Sequence, residues 1–89
     1  MKEILKFQID YDRHVITVRG KNKRLGTKPW EMLLALLEAK GGLLTRDALA
    51  MRLNTQSPAE VNQAAAKVRQ ALGKRSVECV HGYGYRINR

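Results

Sequence analysis

The sequence has little cysteine and no long apolar run, and each shortage excludes a class of protein. The single cysteine, Cys79, cannot form a disulfide within the chain, so this is not a small disulfide-stapled domain. The longest apolar run, residues 32–37, is far shorter than the roughly 20 residues that cross a bilayer. Residues 1–4 also lack the apolar stretch of a signal peptide. We therefore expect a cytoplasmic protein and no membrane partner.

Acidic residues are scarce as well. The chain has 8 Asp+Glu against 17 Lys+Arg, which gives a net charge of +9. Such an excess indicates a polyanionic partner, either nucleic acid or an anionic surface. A hydrophobic fraction of 44% over 89 residues is typical of one folded domain rather than of a disordered basic tail.

The beginning of the chain, residues 1–26, predicts a small antiparallel sheet, because short stretches rich in β-forming residues alternate with polar turn residues. The predicted pieces are strands at residues 4–9 and 14–19, turns at 10–13 and 20–23, and a short strand at 24–25.

Residues 27–73 predict three helices. The first has an apolar stripe at the helical spacing i, i+3, i+4 and i+7, formed by Trp30, Leu33, Leu34 and Leu37. We expect it to begin at Thr27 as its cap and to end at Gly41 and Gly42. A second, short helix follows, with Thr45 as its cap, and reaches Leu53.

The third helix, residues 58–72, has the clearest start signal. Ser57 and Glu60 form the pattern of a capping box, and Pro58 occupies the first helical position. Gly73 ends the helix. Its predicted apolar face consists of Val61, Ala65, Val68 and Leu72.

The end of the chain predicts a β-hairpin, with strands at residues 77–81 and 85–88 and turn glycines at Gly82 and Gly84. We expect the Tyr85 ring to pack in the core beneath the hairpin. Only residues 54–57 separate the second and third helices, the length of a helix-turn-helix connection. The predicted fold class is therefore α+β: one domain over residues 1–89, a winged helix-turn-helix with an N-terminal antiparallel sheet (1–26), three helices (27–73) and a C-terminal β-hairpin wing (74–89).

Three segments resemble the effector domains of OmpR/PhoB-type bacterial response regulators. The ending VECVHGYGYRI, residues 77–87, is similar to the family's wing pattern I-x-T-V-x-G-x-G-Y-R-L. Residues 41–49, GGLLTRDAL, are similar to G-x-V-V-S-R-E-x-L, and residues 67–72, KVRQAL, to R-L-R-K-K-L. The resemblance covers about residue 7 to residue 89.

The resemblance implies sequence-specific binding of double-stranded DNA in transcriptional regulation, with helix 58–72 in the major groove and the wing, residues 77–88, on the backbone or minor groove. It also implies two further partners: RNA polymerase, and a second copy of the domain on DNA. The loop to the third helix is about four residues shorter than the family's, and the third helix is less basic. Only six residues precede Phe7, so we expect no receiver domain within this chain.

The candidate DNA contacts lie on the third helix and the wing. Asn and Gln suit adenine edges and Lys suits guanine, whereas Arg69, at the flank, suits phosphate. We expect both Lys67 and Arg69 to point away from the apolar stripe. The candidate set is Asn62, Gln63, Ala66, Lys67, Arg69, Gln70, Lys74, His81, Tyr83 and Arg86. For a second basic cluster, residues 19–28, the sequence favours DNA contact and a merely solvated surface equally.

Two alternative functions stay open: a sequence-tolerant nucleoid or silencing-type DNA binder, and a protein-interaction module on a winged-helix scaffold. Cys79 and His81, two apart on a predicted strand, share a face but have no third orienting group, so we expect no enzyme. One cysteine and two distant histidines do not make a metal site. We expect no cofactor.

The charge leads to a first prediction. The affinity of the domain for duplex DNA should fall roughly a thousandfold between about 50 and 200 mM salt if about six phosphates are contacted, because Lys and Arg release condensed counterions. A fluorescence-anisotropy titration at several salt concentrations measures this slope. A flat response would contradict DNA binding as the main function.

Overall fold

The computed structural model describes residues 7–88, and within them three helices pack between two small antiparallel sheets. Residues 4–6 of the first predicted strand and Arg89 lie outside the described residues. The elements in chain order are β1 (Gln8–Asp10), β2 (Val15–Val18), β3 (Lys21–Arg24), α1 (Thr27–Glu38), a 3-10 turn (Lys40–Gly42), β4 (Leu43–Thr45), α2 (Arg46–Arg52), α3 (Pro58–Leu72), β5 (Val77–Val80) and β6 (Gly84–Ile87). The predicted fold class is confirmed.

The first sheet has the order β1-β2-β3, as the sequence predicts. Asp10 ends β1 and organises the following turn, because its Oδ1 accepts hydrogen bonds from the backbone N–H groups of Asp12 and Arg13, both at 3.1 Å. The predicted turn at 20–23 is wrong. The chain reverses at Arg19 and Gly20, both with positive φ, so β3 already begins at Lys21 and pairs with β2.

Helix α1 is the centre of the core, but its buried face differs from the predicted stripe. Its buried residues are Trp30, Met32, Leu33, Ala35 and Leu36, whereas Leu34 and Leu37 are only half-buried. The face that packs is rotated because α1 contacts both α3 and the second sheet. Thr27 is not the cap: the cap position is Gly26, and no side chain caps the helix.

The C-terminal end of α1 also comes earlier than predicted. The helix ends at Glu38, and the glycines Gly41 and Gly42 belong to the 3-10 turn that follows. Both have positive φ, 73° and 70°, which favours glycine. Gly42 also lies against Ile87, where a Cβ would be 3.0 Å from the Ile87 Cγ2 atom.

Helix α2 is capped as predicted, and α3 begins at Pro58 as predicted but without the predicted side-chain cap. The Thr45 Oγ1 accepts from the Ala48 backbone N–H at 3.0 Å, which confirms Thr45 as a side-chain cap. The Ser57 side chain makes no cap hydrogen bond, so the capping box is wrong. Instead the Thr55 hydroxyl donates to the Glu60 carboxylate, which lowers the pKa of that carboxyl, and accepts from the Ser57 backbone N–H at 3.1 Å.

Strand β4 was not predicted, and it turns the hairpin into a three-stranded sheet of order β4-β6-β5. Thr45 pairs with Gly84 and Leu43 pairs with Arg86. At Gly84 the two strands approach so closely that a Cβ would lie 2.0 Å from the Leu44 carbonyl oxygen. Gly84 is therefore needed for this approach and not, as predicted, for the turn.

The wing turn is formed by residues 81–83, and Gly82 supplies the positive φ of 73° that such a turn requires. The Tyr83 backbone N–H donates to the Val80 carbonyl oxygen at 3.0 Å. His81 therefore lies in the turn and not on the strand with Cys79, so the predicted shared face for these two residues is wrong. Helix α3 ends at Gly73, as predicted.

Among residues 7–88, no helix is long and apolar enough to cross a membrane.

The core gives a second prediction. Leu33 is fully buried, with 0% exposure, so Leu33→Ala should lower the free energy of unfolding by about 2–5 kcal/mol, because it leaves a cavity. Leu34→Ala makes the same chemical change on the same helix at a half-buried position, and its loss should be smaller. Thermal and urea denaturation of both variants measure the difference. Equal losses would show that the core-facing side of α1 lies elsewhere.

Candidate nucleic-acid interface

Helix α3 separates its side chains into a buried and an exposed face. Its buried residues are Val61, Ala64, Ala65, Val68 and Leu72, which confirms the predicted apolar face and adds Ala64. The predicted polar face is exposed, with Asn62, Gln63, Ala66, Lys67 and Gln70 pointing to solvent. Within residues 7–88, the side chains of Gln63, Lys67 and Gln70 have no hydrogen-bond or ion-pair partner. These three side chains are therefore available to a ligand.

The prediction that Arg69 points away from the protein body is wrong. Its side chain is half-buried, and its Nε donates to the Val77 carbonyl oxygen at 2.7 Å. Its guanidinium carbon lies 5.8 Å from the centre of the Tyr85 ring, a cation–π distance. Arg69 therefore connects α3 to β5 and β6, in addition to the phosphate contact that the sequence predicts for it.

Tyr85 is buried, as predicted, and its hydroxyl reaches the exposed face of α3. It is 3% exposed, and the hydroxyl donates a hydrogen bond to the Asn62 Oδ1 atom. Among the described residues 7–88, Asn62 is therefore the one residue of the exposed α3 face that is hydrogen-bonded to the second sheet. Burial raises the pKa of the Tyr85 phenol.

Arg46 completes this cluster and was missing from the predicted contacts. It is exposed at the first position of α2, its guanidinium carbon is 5.9 Å from the centre of the Tyr85 ring, and its Nη2 lies 3.7 Å from the Cys79 Sγ. Its backbone N–H donates to the Tyr83 carbonyl oxygen at 3.2 Å. The available signal was its place directly after the cap residue Thr45, but strand β4, which brings it to the wing, was not predicted.

The predicted wing contacts are all on the surface. His81 and Tyr83 lie in the wing turn, and the Tyr83 ring is 47% exposed. Lys74, just after α3, is exposed. Arg86 is exposed but pairs with Glu78 across the hairpin at 2.6 Å, so a phosphate would have to compete with that carboxylate. The exposed pair itself contributes little stability.

Charge is unevenly distributed over the domain. Between residues 61 and 77 the chain carries cations only, and Glu78 is the first acidic side chain after Glu60. Glu60 is itself paired with Lys28 at 3.5 Å, so the charge of this member of the second basic cluster is partly neutralised. Acidic residues of α1 are bound elsewhere: Glu31 and Glu38 each accept from Arg52 at 3.2 Å. Residues 61–77 therefore form one stretch of four cations without an acidic side chain, and residues 19–28, with five cations, form another.

Among residues 7–88, no group of three or more His, Cys, Asp or Glu side chains could hold a metal ion.

The contacts of Arg69 lead to a third prediction. Arg69→Ala should lower the free energy of unfolding by about 1–3 kcal/mol, because it removes a charged hydrogen bond and a cation–π contact. Lys67→Ala, two positions earlier on the exposed face, should leave the melting temperature within error. Calorimetry of both variants tests this, and an unchanged stability for Arg69→Ala would mean that the Val77 contact is not maintained in solution.

Comparison with known proteins reveals a relative of the whole domain. No family model matches the chain. The chain is 33% identical over 82 residues to the transcriptional regulatory protein CrdR of Helicobacter pylori, a match that covers 90% of this chain. The chain spans only 38% of the length of that relative.

Solved structures share the fold along nearly the whole chain. The DNA-binding domain of Bacillus subtilis CssR superposes with a TM-score of 0.80 at 20% identity, covering 92% of this chain and 99% of that one. The DNA-binding domain of the response regulator AdeR, solved in complex with an intercistronic region, gives a TM-score of 0.75 at 18% identity and covers 98% of each chain. The chain therefore has the winged-helix fold of these two DNA-binding domains, and its sequence is similar to that of a bacterial transcriptional regulatory protein.

Proposed function

We propose that the domain binds double-stranded DNA sequence-specifically in bacterial transcriptional regulation, with α3 in the major groove and the wing on the backbone or minor groove. The observation that carries this proposal is the exposed face of α3, where Gln63, Lys67 and Gln70 are unpaired within residues 7–88 and no acidic side chain occurs on residues 61–72. The AdeR domain, which has the same fold, was solved with DNA.

The exposed side chains of α3 are the ones that we assign to base edges. Base edges in the major groove present donor and acceptor patterns, which amide groups and lysine can read. Asn62 and Gln63 lie in the first half of α3, the part that reaches base edges in helix-turn-helix proteins. Lys67 and Gln70 follow on the same exposed face, and the Ala66 methyl group suits a thymine methyl.

The surrounding cations supply the contacts that do not depend on sequence. We assign three cations to phosphate groups: Arg46 at the start of α2, Lys74 just after α3, and the part of the Arg69 guanidinium that does not bind Val77. His81 and Tyr83, at the wing turn, are placed against the backbone or minor groove. Arg86 joins them if phosphate displaces it from Glu78. Phosphate contacts fix the register of a protein on DNA, whereas base contacts carry the specificity.

A sequence-tolerant, nucleoid-type binder is the main alternative, because α3 carries only two basic side chains, Lys67 and Arg69. Selection of bound fragments from a genomic DNA pool, followed by competition between selected and random duplexes, separates the two functions. A specific regulator should discriminate by at least about a thousandfold. Equal competition would favour the sequence-tolerant binder, and no binding at low salt would favour a protein-interaction module.

Two further partners are part of the proposal. RNA polymerase would contact the short loop between α2 and α3, next to which the Met51 side chain is 82% exposed. A second copy of the domain would bind a neighbouring site on the same DNA. The proposal places the protein in the cytoplasm, at the nucleoid when bound, and assigns it no cofactor and no catalytic step.

A fourth prediction tests base reading by Lys67. Lys67→Ala should weaken binding to the selected site by about 1–3 kcal/mol and relax the preference at one base pair, because it removes a donor to a guanine edge.

Lys40→Ala is the matched control. Lys40 is exposed and lies in the turn beside Ile87, at the end of the second sheet opposite the wing turn. This variant should leave both affinity and preference unchanged. Titrations against a panel of single-base-substituted sites measure both variants. A sequence-blind loss for Lys67→Ala would mean that Lys67 contacts the backbone only.

A further inference from the structure

Tyr85 is buried and contacts residues of both α2 and α3. It lies in β6, the central strand of the second sheet, where its backbone is flanked by Leu44 of β4 and Cys79 of β5. The guanidinium groups of Arg46 and Arg69 lie 5.9 and 5.8 Å from the centre of its ring. The position of the phenol is therefore fixed by the sheet and by two neighbouring helices.

The only exposed α3 residue that this phenol contacts is Asn62, within the part of the chain that the structure describes. Burial raises the pKa of Tyr85 and the neighbouring Cys79 raises it further, whereas Arg46 and Arg69 lower it, and the net shift is upward. The hydroxyl thus keeps its proton at neutral pH, and its contact with the Asn62 Oδ1 atom makes it the donor. A tyrosine O–H that donates to a side-chain amide needs the oxygen of that amide as its acceptor. The Asn62 side chain is therefore held in one orientation.

We propose that Tyr85 is a positioning residue for base recognition: its hydroxyl engages the Asn62 oxygen, so that Asn62 presents its Nδ2 group to the DNA as a donor. This inference rests on the proposed DNA-binding function and specifies how one α3 residue performs it. The wing thereby takes part in base reading without touching the base.

The orientation determines which base edge Asn62 suits. Bidentate reading of adenine uses both ends of the amide, with the oxygen accepting from N6 and the nitrogen donating to N7. In this domain the Tyr85 hydroxyl competes for that oxygen. A donor alone can bind O6 or N7 of guanine, O4 of thymine or N7 of adenine, but at adenine the neighbouring N6 amino group is left without an acceptor. We therefore expect guanine or thymine, rather than adenine, at the base that Asn62 contacts.

Tyr85→Phe tests this directly, because it keeps the ring and removes only the hydroxyl. Its binding to the selected site should fall, and the preference at one base pair should shift toward adenine by roughly 5- to 150-fold, the range that one good base contact provides. Asn62→Ala should lose preference at the same base pair. In the Asn62→Ala background, Tyr85→Phe should have no further effect on base preference.

Tyr11→Phe is the matched control, since Tyr11 is 63% exposed in the turn between β1 and β2 and belongs to neither α3 nor the wing. It should leave affinity and preference unchanged. A loss for Tyr85→Phe that is uniform over all sites, or that persists in the Asn62→Ala background, would overturn the proposal, because the hydroxyl would then act on phosphate or on stability alone.

A measurement without DNA separates this inference from the function on which it rests. In the free domain, the NMR signals of the Asn62 side-chain NH2 group should shift in Tyr85→Phe and remain in place in Tyr11→Phe. No shift in Tyr85→Phe would overturn the positioning role even if the domain binds DNA. A shift together with no DNA binding by the unmodified domain would leave the hydrogen bond intact and show that the proposed function had failed.

Discussion

The close contact between β4 and β6 at Gly84 fixes the relative positions of α2, α3 and the wing. A Cβ at this residue would overlap the Leu44 carbonyl oxygen, so the pairing depends on the absence of a side chain. Because β4 leads directly into α2, the pairing brings Arg46 to the wing turn. Tyr85, the next residue in β6, is thereby placed between the two helices, where Arg69 packs on it. A backbone contact between β4 and β6 thus positions the side chains of the proposed interface.

In the proposed function, positive charge and base reading are assigned to different parts of this domain. The net charge of +9 favours any polyanion, but several cations are already paired within the fold. Arg52 binds two glutamates of α1, and its pKa is raised by hydrogen bonds to Glu38 first and Glu31 second. Lys28 and Arg86 have acidic neighbours as well. Within residues 7–88 few residues of α3 remain unpaired, so the proposed discrimination between DNA sites would depend on a small number of side chains.

The sequence predicted the elements whose signals are local, and it failed where distant residues decide. The third helix, its apolar face and the Gly73 ending follow from spacing and from one glycine, and all three are confirmed. Strand β4 has three residues and exists only because β6 pairs with it, which no local pattern indicates. For the same reason the sequence identified the exposed face of α3 but missed Arg46. It also could not show that Arg69 and Asn62 contact the second sheet.

Ala66 lies in the middle of the exposed α3 face, between residues that carry amides and a lysine, and supplies only a methyl group. Its side chain supports no contact of the core, and alanine has the highest helix propensity. Longer residues such as Arg, Gln or Glu lose little in a helix, so they could enter here with the scaffold intact. Ala66 is therefore a position at which the sequence can change without loss of the fold. If α3 reads DNA as proposed, copies of the gene could acquire different DNA targets through a change at this one codon, while the buried core stays constant.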